Sequence, residues 1–103
     1  MIKLFNTKEE AEKQLPLFSL RKFKAEGSDF SMVRTNSGIH VFGDSCPHEG
    51  CSLALGDVVG DSIVCPWHQF HFDLKSGKCT DNICGDLKLY DVLEKEDGLF
   101  ISY

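Results

Sequence analysis

Short apolar runs separated by turn residues follow one another through most of the chain. Residues 30–35 and 39–42 alternate between apolar and polar side chains, and Asn36, Ser37 and Gly38 between them supply turn chemistry. This combination predicts a β-hairpin. The side chains expected to face inward are Phe30, Met32, Ile39 and Val41.

The same pattern predicts further strands on both sides of this hairpin. A second hairpin is expected from residues 58–59 and 63–64, because Gly60, Asp61 and Ser62 between them favour a turn. Other short strands are predicted at residues 17–23, around residues 70–72, across residues 87–92, and at 99–103 after a turn at Asp97 and Gly98. Many short strands with almost no helix indicate an all-β fold, an antiparallel sandwich or barrel.

One short N-terminal helix interrupts this pattern. Thr7 followed three residues later by Glu10 fits a capping box, in which a hydroxyl and a carboxylate satisfy the first amides of a helix. We predict a helix from this cap to about Gln14, ended by Leu15 and Pro16. The charges along it are those of a surface helix.

The length of 103 residues predicts a single domain, so any activity is expected to depend on one site. No apolar run has the length of a signal peptide or of a membrane helix. We therefore expect a cytoplasmic protein that does not bind a membrane.

Charge is distributed unevenly along the chain, whose net charge is −5. Residues 1–43 carry seven Lys and Arg against five Asp and Glu, whereas residues 44–103 carry four against eleven. Phosphate binding needs clustered basic residues, so the acidic half argues against nucleic acid as a partner. A basic protein surface is a better match for it, although acidic residues also simply keep small proteins in solution.

Two cysteine–histidine clusters lie in the acidic half. Cys46-Pro47-His48 and Cys65-Pro66-Trp67-His68 each supply one thiolate and one imidazole, and the second predicted hairpin lies between them. A hairpin of this length can bring both clusters to one point. Two Cys and two His suit a structural zinc site, and they equally suit an iron–sulfur cluster in which two His replace two Cys on one iron.

The residues around these clusters favour the second alternative. From Cys46-Pro47-His48-Glu49-Gly50-Cys51-Ser52-Leu53, through Gly56, Gly60 and Ile63, to Cys65-Pro66-Trp67-His68, Phe72-Asp73 and Gly77, the sequence closely resembles the Rieske [2Fe–2S] family. The resemblance is strong over residues 39–78 and implies a cluster-binding β-subdomain at about residues 44–78. It implies that Cys46 and Cys65 bind the inner iron and that His48 and His68 bind the outer iron. It also implies that Asp73 tethers its loop by hydrogen bonds.

Departures from the family pattern indicate the subclass. Respiratory Rieske subunits have a cysteine between Pro and His of the second motif, bonded to one at the position of Cys51, and hydroxyl residues at the positions of Phe70 and Phe72. Here Trp67 replaces the bonding partner of Cys51. Without the hydroxyl donors the reduced cluster is less stabilised, which predicts a potential toward the low end of about −150 to +300 mV.

The remaining cysteines and histidines are given no ligand role. Cys79 and Cys84 could pair with each other, but reduced thiols are the expectation in a reducing compartment. His40 and His71 are predicted to be solvent-facing strand residues. A mononuclear oxygenase iron needs two His and a carboxylate of its own, and these two histidines do not suit it.

The resemblance implies a ferredoxin-type Rieske protein that carries one electron and is not itself an enzyme. The expected partners are a reductase that supplies the electron and an oxygenase that receives it. One alternative is the small subunit of a nitrite-reductase-like complex, and another is a structural zinc module. Intact Cys46, His48, Cys65 and His68 favour the carrier, since many nitrite-reductase subunits of this fold lack these ligands.

Overall fold

The computed structural model describes residues 1–44, 52–66, 71–79 and 87–102, and these form an all-β fold with one short α-helix. In chain order the elements are β1 (Ile2–Phe5), α1 (Lys8–Gln14), β2 (Leu20–Ala25), β3 (Ser28–Thr35), β4 (Gly38–Gly43), a 3-10 helix (Leu53–Leu55), β5 (Asp57–Val59), β6 (Ser62–Val64), β7 (His71–Asp73), β8 (Leu89–Tyr90), β9 (Val92–Lys95) and β10 (Gly98–Ile101). The predicted antiparallel all-β class is confirmed.

The described strands form three antiparallel sheets. Their strand orders are β1-β10-β9, β2-β3-β4-β8 and β5-β6-β7. Both predicted hairpins are confirmed: Thr35 pairs with Gly38 at the turn between β3 and β4, and Val59 pairs with Ser62 between β5 and β6. The β5–β6 hairpin lies between the two cysteine–histidine clusters in sequence, as the pattern predicts, and β7 follows the second cluster.

Strand β3 is buried on both faces and separates two apolar cores. Phe30 and Met32 on one face join a core with α1 and the β1-β10-β9 sheet. Val33 on the other face joins a core with side chains from the β5-β6-β7 sheet. The alternating directions of successive strand residues thus attach one sheet to each face of β3.

Helix α1 has a polar contact at each end. Thr7 Oγ1 accepts a hydrogen bond from the amide of Glu10 at 3.0 Å, so the predicted N-cap is confirmed. At the other end the Arg34 guanidinium donates to the carbonyls of Glu12 and Leu15 at 3.0 and 3.1 Å. These are carbonyls that a helix end leaves without internal partners. In the described part of the chain no helix is long and apolar enough to cross a membrane.

One predicted strand boundary differs from the structure, and one strand of the structure was not predicted. The strand predicted at residues 17–23 begins only at Leu20, because the amide of Ser19 donates to the carbonyl of Pro16 and Phe18 has a positive φ of 64°. These features make residues 16–19 a turn. Strand β1 was not predicted from the pattern at all. Its partner is β10, at the far end of the chain, so no turn chemistry between neighbours signals it.

Candidate metal centre

Asp44 immediately precedes the segment that carries Cys46 and His48, residues 45–51, called here the first motif segment. The Asp44 side chain is 4% exposed. Its Oδ1 accepts hydrogen bonds from Ser31 Oγ at 2.6 Å and from the Ala54 amide at 3.1 Å. Its Oδ2 accepts from Ser52 Oγ at 2.7 Å and lies 3.3 Å from Lys22 Nζ.

The backbone joins the same two flanks. The Leu53 amide donates to the Asp44 carbonyl at 2.7 Å. The residues before and after the first motif segment are therefore held together by both main-chain and side-chain hydrogen bonds. Burial raises the pKa of the Asp44 carboxyl, but the hydrogen bonds from Ser31, Ser52 and Ala54 outweigh burial and hold that pKa below its usual value. The carboxylate form is the one that this arrangement binds.

Cys65 directly follows strand β6 and is fully buried. Val64 at the end of β6 pairs with His71 at the start of β7, so residues 65–70 connect the two strands. The Cys65 side chain belongs to the apolar core that also contains Ile63 and Phe72. The sheet register thus places one predicted sulfur ligand at a fixed, apolar position.

Gly56 brings the two motif regions against each other. A Cβ built on Gly56 would lie 2.0 Å from the carbonyl oxygen of Val64 and 3.2 Å from Pro66 Cδ. Only glycine allows this approach of two backbones. The chain leaving the first motif segment therefore contacts the chain entering residues 67–70, called here the second motif segment. Close approach of the two backbones is therefore the reason that glycine is required at this position.

Asp73 and Gly77 shape the turn that follows β7. Asp73 Oδ1 accepts hydrogen bonds from the amides of Lys75 at 2.7 Å and Ser76 at 3.4 Å. The predicted tethering role of Asp73 is confirmed by these contacts. Gly77 has a φ of +79°, and a Cβ there would lie 2.4 Å from the Leu87 carbonyl oxygen. Gly77 is thus required both for its backbone conformation and for the approach of residue 87.

A second carboxylate, Asp61 in the turn between β5 and β6, contacts the β3–β4 hairpin. Its Oδ1 accepts hydrogen bonds from Thr35 Oγ1 at 2.6 Å and Ser37 Oγ at 2.7 Å. These bonds lower the pKa of the Asp61 carboxyl against the opposing effect of desolvation. Lys75 Nζ lies 3.6 Å from Asp61 Oδ2. The β5-β6-β7 sheet is therefore joined to the four-stranded sheet by polar contacts as well as by the core.

The prediction that His40 faces solvent is wrong. Its ring is largely buried at this junction, with 14% of the side chain exposed. Nε2 lies 2.9 Å from Ser37 Oγ and 3.1 Å from Thr35 Oγ1. Desolvation lowers the pKa of His40 although the Asp61 carboxylate, 4.0 Å away, opposes that shift. Alternation along β4 could not reveal this, since the covering residues come from another hairpin. His71 lies in β7 as predicted but is partly buried.

Of the four predicted ligands the structure describes Cys65 alone. Cys46, His48 and His68 lie outside the described residues, as do Cys51, Trp67, Phe70 and Cys84. Cys79 is buried in the same apolar core as Cys65. Phe72, at one of the two family hydroxyl positions, is a fully buried member of that core.

The described surroundings fit an iron–sulfur cluster. Cys65 offers a soft thiolate ligand in an apolar environment, which suits iron–sulfur ligation. The contact of Gly56 with Val64 and Pro66 places the chain that follows the first motif segment beside the chain that precedes the second. The hydrogen bonds of Asp44 close the base of the first segment. A single two-iron cluster bound by both segments is compatible with this arrangement.

The model of the Rieske [2Fe-2S] domain family matches residues 6–90. The chain therefore belongs to the Rieske [2Fe–2S] family, and a [2Fe–2S] cluster is its cofactor. Cholesterol 7-desaturase of Xenopus laevis is 45% identical over 56 residues, which is 52% of this chain and 12% of the desaturase. The chain thus spans a small fraction of this curated relative.

Two solved structures share the fold over almost their whole length. The ferredoxin of carbazole 1,9a-dioxygenase from Nocardioides aromaticivorans IC177 has a TM-score of 0.80 at 21% identity, with 99% of this chain and 98% of that chain covered. A structure described as a nitrite reductase NADPH (small subunit) oxidoreductase protein has a TM-score of 0.76 at 21% identity, with complete coverage of both chains. Fold and family together define a Rieske-type electron-transfer domain.

Proposed function

We propose that this chain is a ferredoxin-type electron carrier that takes one electron from a reductase and passes it to an oxygenase. The close approach of the chain after the first motif segment to the chain before the second, at Gly56, Val64 and Pro66, is the observation that supports this proposal. A Rieske cluster accepts and releases one electron, so a chain that presents it needs only to hold it and to contact partners. We propose residues 1–103 as one domain, with residues 44–78 as the cluster-binding subdomain.

In this proposal Cys46 and Cys65 bind the inner iron, and His48 and His68 bind the outer iron. Two thiolates neutralise the charge of the oxidised cluster core, whereas four would leave it negative, so reduction is easier than in clusters with four cysteine ligands. Phe72 supplies no hydroxyl at its position and is committed to core packing. The absence of that donor supports a potential in the low part of the Rieske range.

The carrier role is favoured over a catalytic role by the position of His40. An oxygenase iron needs imidazole ligands with open coordination positions. The His40 ring is instead largely buried and within hydrogen-bonding distance of Ser37 and Thr35. The matched region of the desaturase corresponds to a small part of that protein, so its activity is not transferred to this chain.

The experiment combines cluster analysis with one matched pair of variants. The purified protein is expected to contain two irons per chain and to give a rhombic EPR signal after reduction. Cys65→Ala should lose the cluster because it removes a ligand. Cys79→Ala removes a buried thiol from the same core and should keep both iron and signal. A colourless protein with one zinc, or iron content unchanged by Cys65→Ala, would contradict the proposal.

A nitrite-reductase small subunit is the second candidate, because that fold neighbour covers the whole chain. Recovery of the tagged chain from its native cells distinguishes the two. Co-purification with an oxygenase supports the carrier. A recovered complex that consumes nitrite with NADPH supports the second candidate instead.

A further inference from the structure

The Asp44 carboxylate is buried to an extent that requires a specific compensation. Removing a charged carboxylate from water is costly unless hydrogen bonds replace its hydration. Asp44 is 4% exposed and accepts from two hydroxyls and one amide, with Lys22 Nζ 3.3 Å away. Each oxygen thus has two polar neighbours. The site is a complete acceptor arrangement built around one side chain.

The donors come from the residues after the first motif segment and from the four-stranded sheet. Ser52 and Ala54 follow the segment, whereas Ser31 lies on β3 and Lys22 on β2. One carboxylate therefore connects the start of the segment, its end and the four-stranded sheet. Asp44 also receives the Leu53 amide on its own carbonyl. Rotation or sliding of the segment base would break several of these bonds together.

We infer that Asp44 is a positioning residue that closes the base of the first motif segment and fixes Cys46 and His48 relative to Cys65. This inference rests on the proposed function, since it concerns the ligands assigned there. Residues that orient metal ligands commonly change metal affinity about 10- to 100-fold when they are mutated. Asp44 acts through the backbone on both sides of the segment and has no assigned contact with the cluster.

Asp44→Asn tests the inference with almost no change of shape. The amide nitrogen cannot accept, so either Lys22 or the Ala54 amide loses its acceptor, and one serine hydroxyl must reverse to accept from the new amide group. We expect loss of the cluster to an iron chelator to be about 10- to 100-fold faster than in the wild type. The EPR g values of the reduced protein should shift as well, because the ligand geometry changes.

Asp61→Asn is the matched control. Asp61 also accepts from two hydroxyls and lies near a lysine, but its contacts join two sheets away from the first motif segment. The substitution removes the same charge from the acidic half. It should lower the melting temperature while leaving the EPR spectrum and the rate of cluster loss unchanged. The reduction potential of both variants is measured as well. A larger shift in Asp44→Asn than in Asp61→Asn is then attributable to ligand position, since both substitutions remove one negative charge.

The inference would be overturned if the wild type holds a cluster and Asp44→Asn has the same EPR spectrum and the same rate of cluster loss. The proposed function would then remain intact. Absence of a cluster in the wild type would overturn both. If Asp44→Asn does not fold, Ser52→Ala and Ser31→Ala provide the same test. Ser52→Ala removes a bond across the segment base, whereas Ser31→Ala leaves Ser52 and Ala54 bound to Asp44. Cluster loss should be faster in Ser52→Ala, and equal rates would overturn the inference.

Discussion

At the scale of single residues, two carboxylates, the buried Asp44 and the partly exposed Asp61, accept hydrogen bonds from both buried hydroxyls of strand β3. Ser31 and Thr35 are 0% and 3% exposed, and they donate to Asp44 and Asp61 respectively. The alternating pattern predicts apolar side chains at buried strand positions, and these serine and threonine residues depart from it. Here they are donors to carboxylates that flank or follow the metal-binding motifs. The sequence shows the hydroxyls plainly but gives no sign of their partners.

His40 gives a prediction at the same scale. Burial lowers its pKa below the usual 6.5, against the attraction of Asp61 and Asp73 and with the repulsion of Lys75. Near and below pH 6.5, His40 therefore binds a proton in the unfolded chain, whereas in the folded chain it binds this proton only at lower pH. Stability falls as the pH decreases through this window, by at most about 1.4 kcal/mol per pH unit for one such proton.

His40→Gln should flatten this dependence, because glutamine does not titrate. The measurement is the melting temperature of the cluster-loaded protein at steps between pH 7.5 and 5.5. The variant is expected to be less stable at pH 7.5, where its lost ring contacts matter, and to lose less stability on acidification. A slope identical to that of the wild type would contradict the burial argument.

At the scale of elements, the two hairpins are local structures whose assembly depends on close backbone contact. The β5–β6 hairpin and the 3-10 helix Leu53–Leu55 meet where Gly56 contacts the Val64 carbonyl. The exposed turn residues and apolar pairs of the hairpin predict it from sequence. The sequence shows Gly56 only as part of the family motif, whereas the backbone that it contacts is set by the fold.

Gly56→Ala should destabilise the protein by about 1–3 kcal/mol, the usual cost of inserting a methyl group where there is no room. Gly43→Ala is the control, since a Cβ on Gly43 in β4 meets nothing within 4 Å. Urea unfolding measures both variants. Equal stability of the two variants would show that the contact at Gly56 is not tight.

At the scale of the whole molecule, strand β3 couples the two apolar cores. Its Phe30 and Met32 pack on the side of α1, and its Val33 packs on the side of the β5-β6-β7 sheet. Neither core can lose β3 without disturbing the other. This arrangement favours the predicted single domain and argues that the sheet bearing the second motif does not unfold separately.

We expect one cooperative unfolding transition in the cluster-loaded protein. Trp67 is the only tryptophan in the chain, so its fluorescence reports on the second motif segment, whereas far-UV circular dichroism reports on the sheets. Both signals should change at the same urea concentration, because each core packs on strand β3 and loss of one disturbs the other. A fluorescence transition at clearly lower urea, with unchanged circular dichroism, would show that the motif region unfolds independently.

The sequence by itself determined the class of fold, the capped helix, the two hairpins and the family with its cofactor. Each of these depends on neighbouring residues: alternation and turn chemistry in β3–β4, the Thr7 cap, or the spacing of Cys and His in each motif. The family assignment also rests on such short local patterns. Cys65 could be predicted as a ligand, but its fixed apolar surroundings could not.

Only the tertiary structure decided the pairing of β1 with β10, the burial of His40 and the contacts of Asp44 and Asp61. Asp44 and Ser31 are 13 residues apart, and Asp61 and Thr35 are 26 apart. Such contacts depend on which elements pack against each other, and each acidic residue viewed alone is simply a surface charge. The physical reason is that burial and hydrogen-bond partners belong to the assembled sheets, whereas turns, caps and ligand spacing belong to the chain.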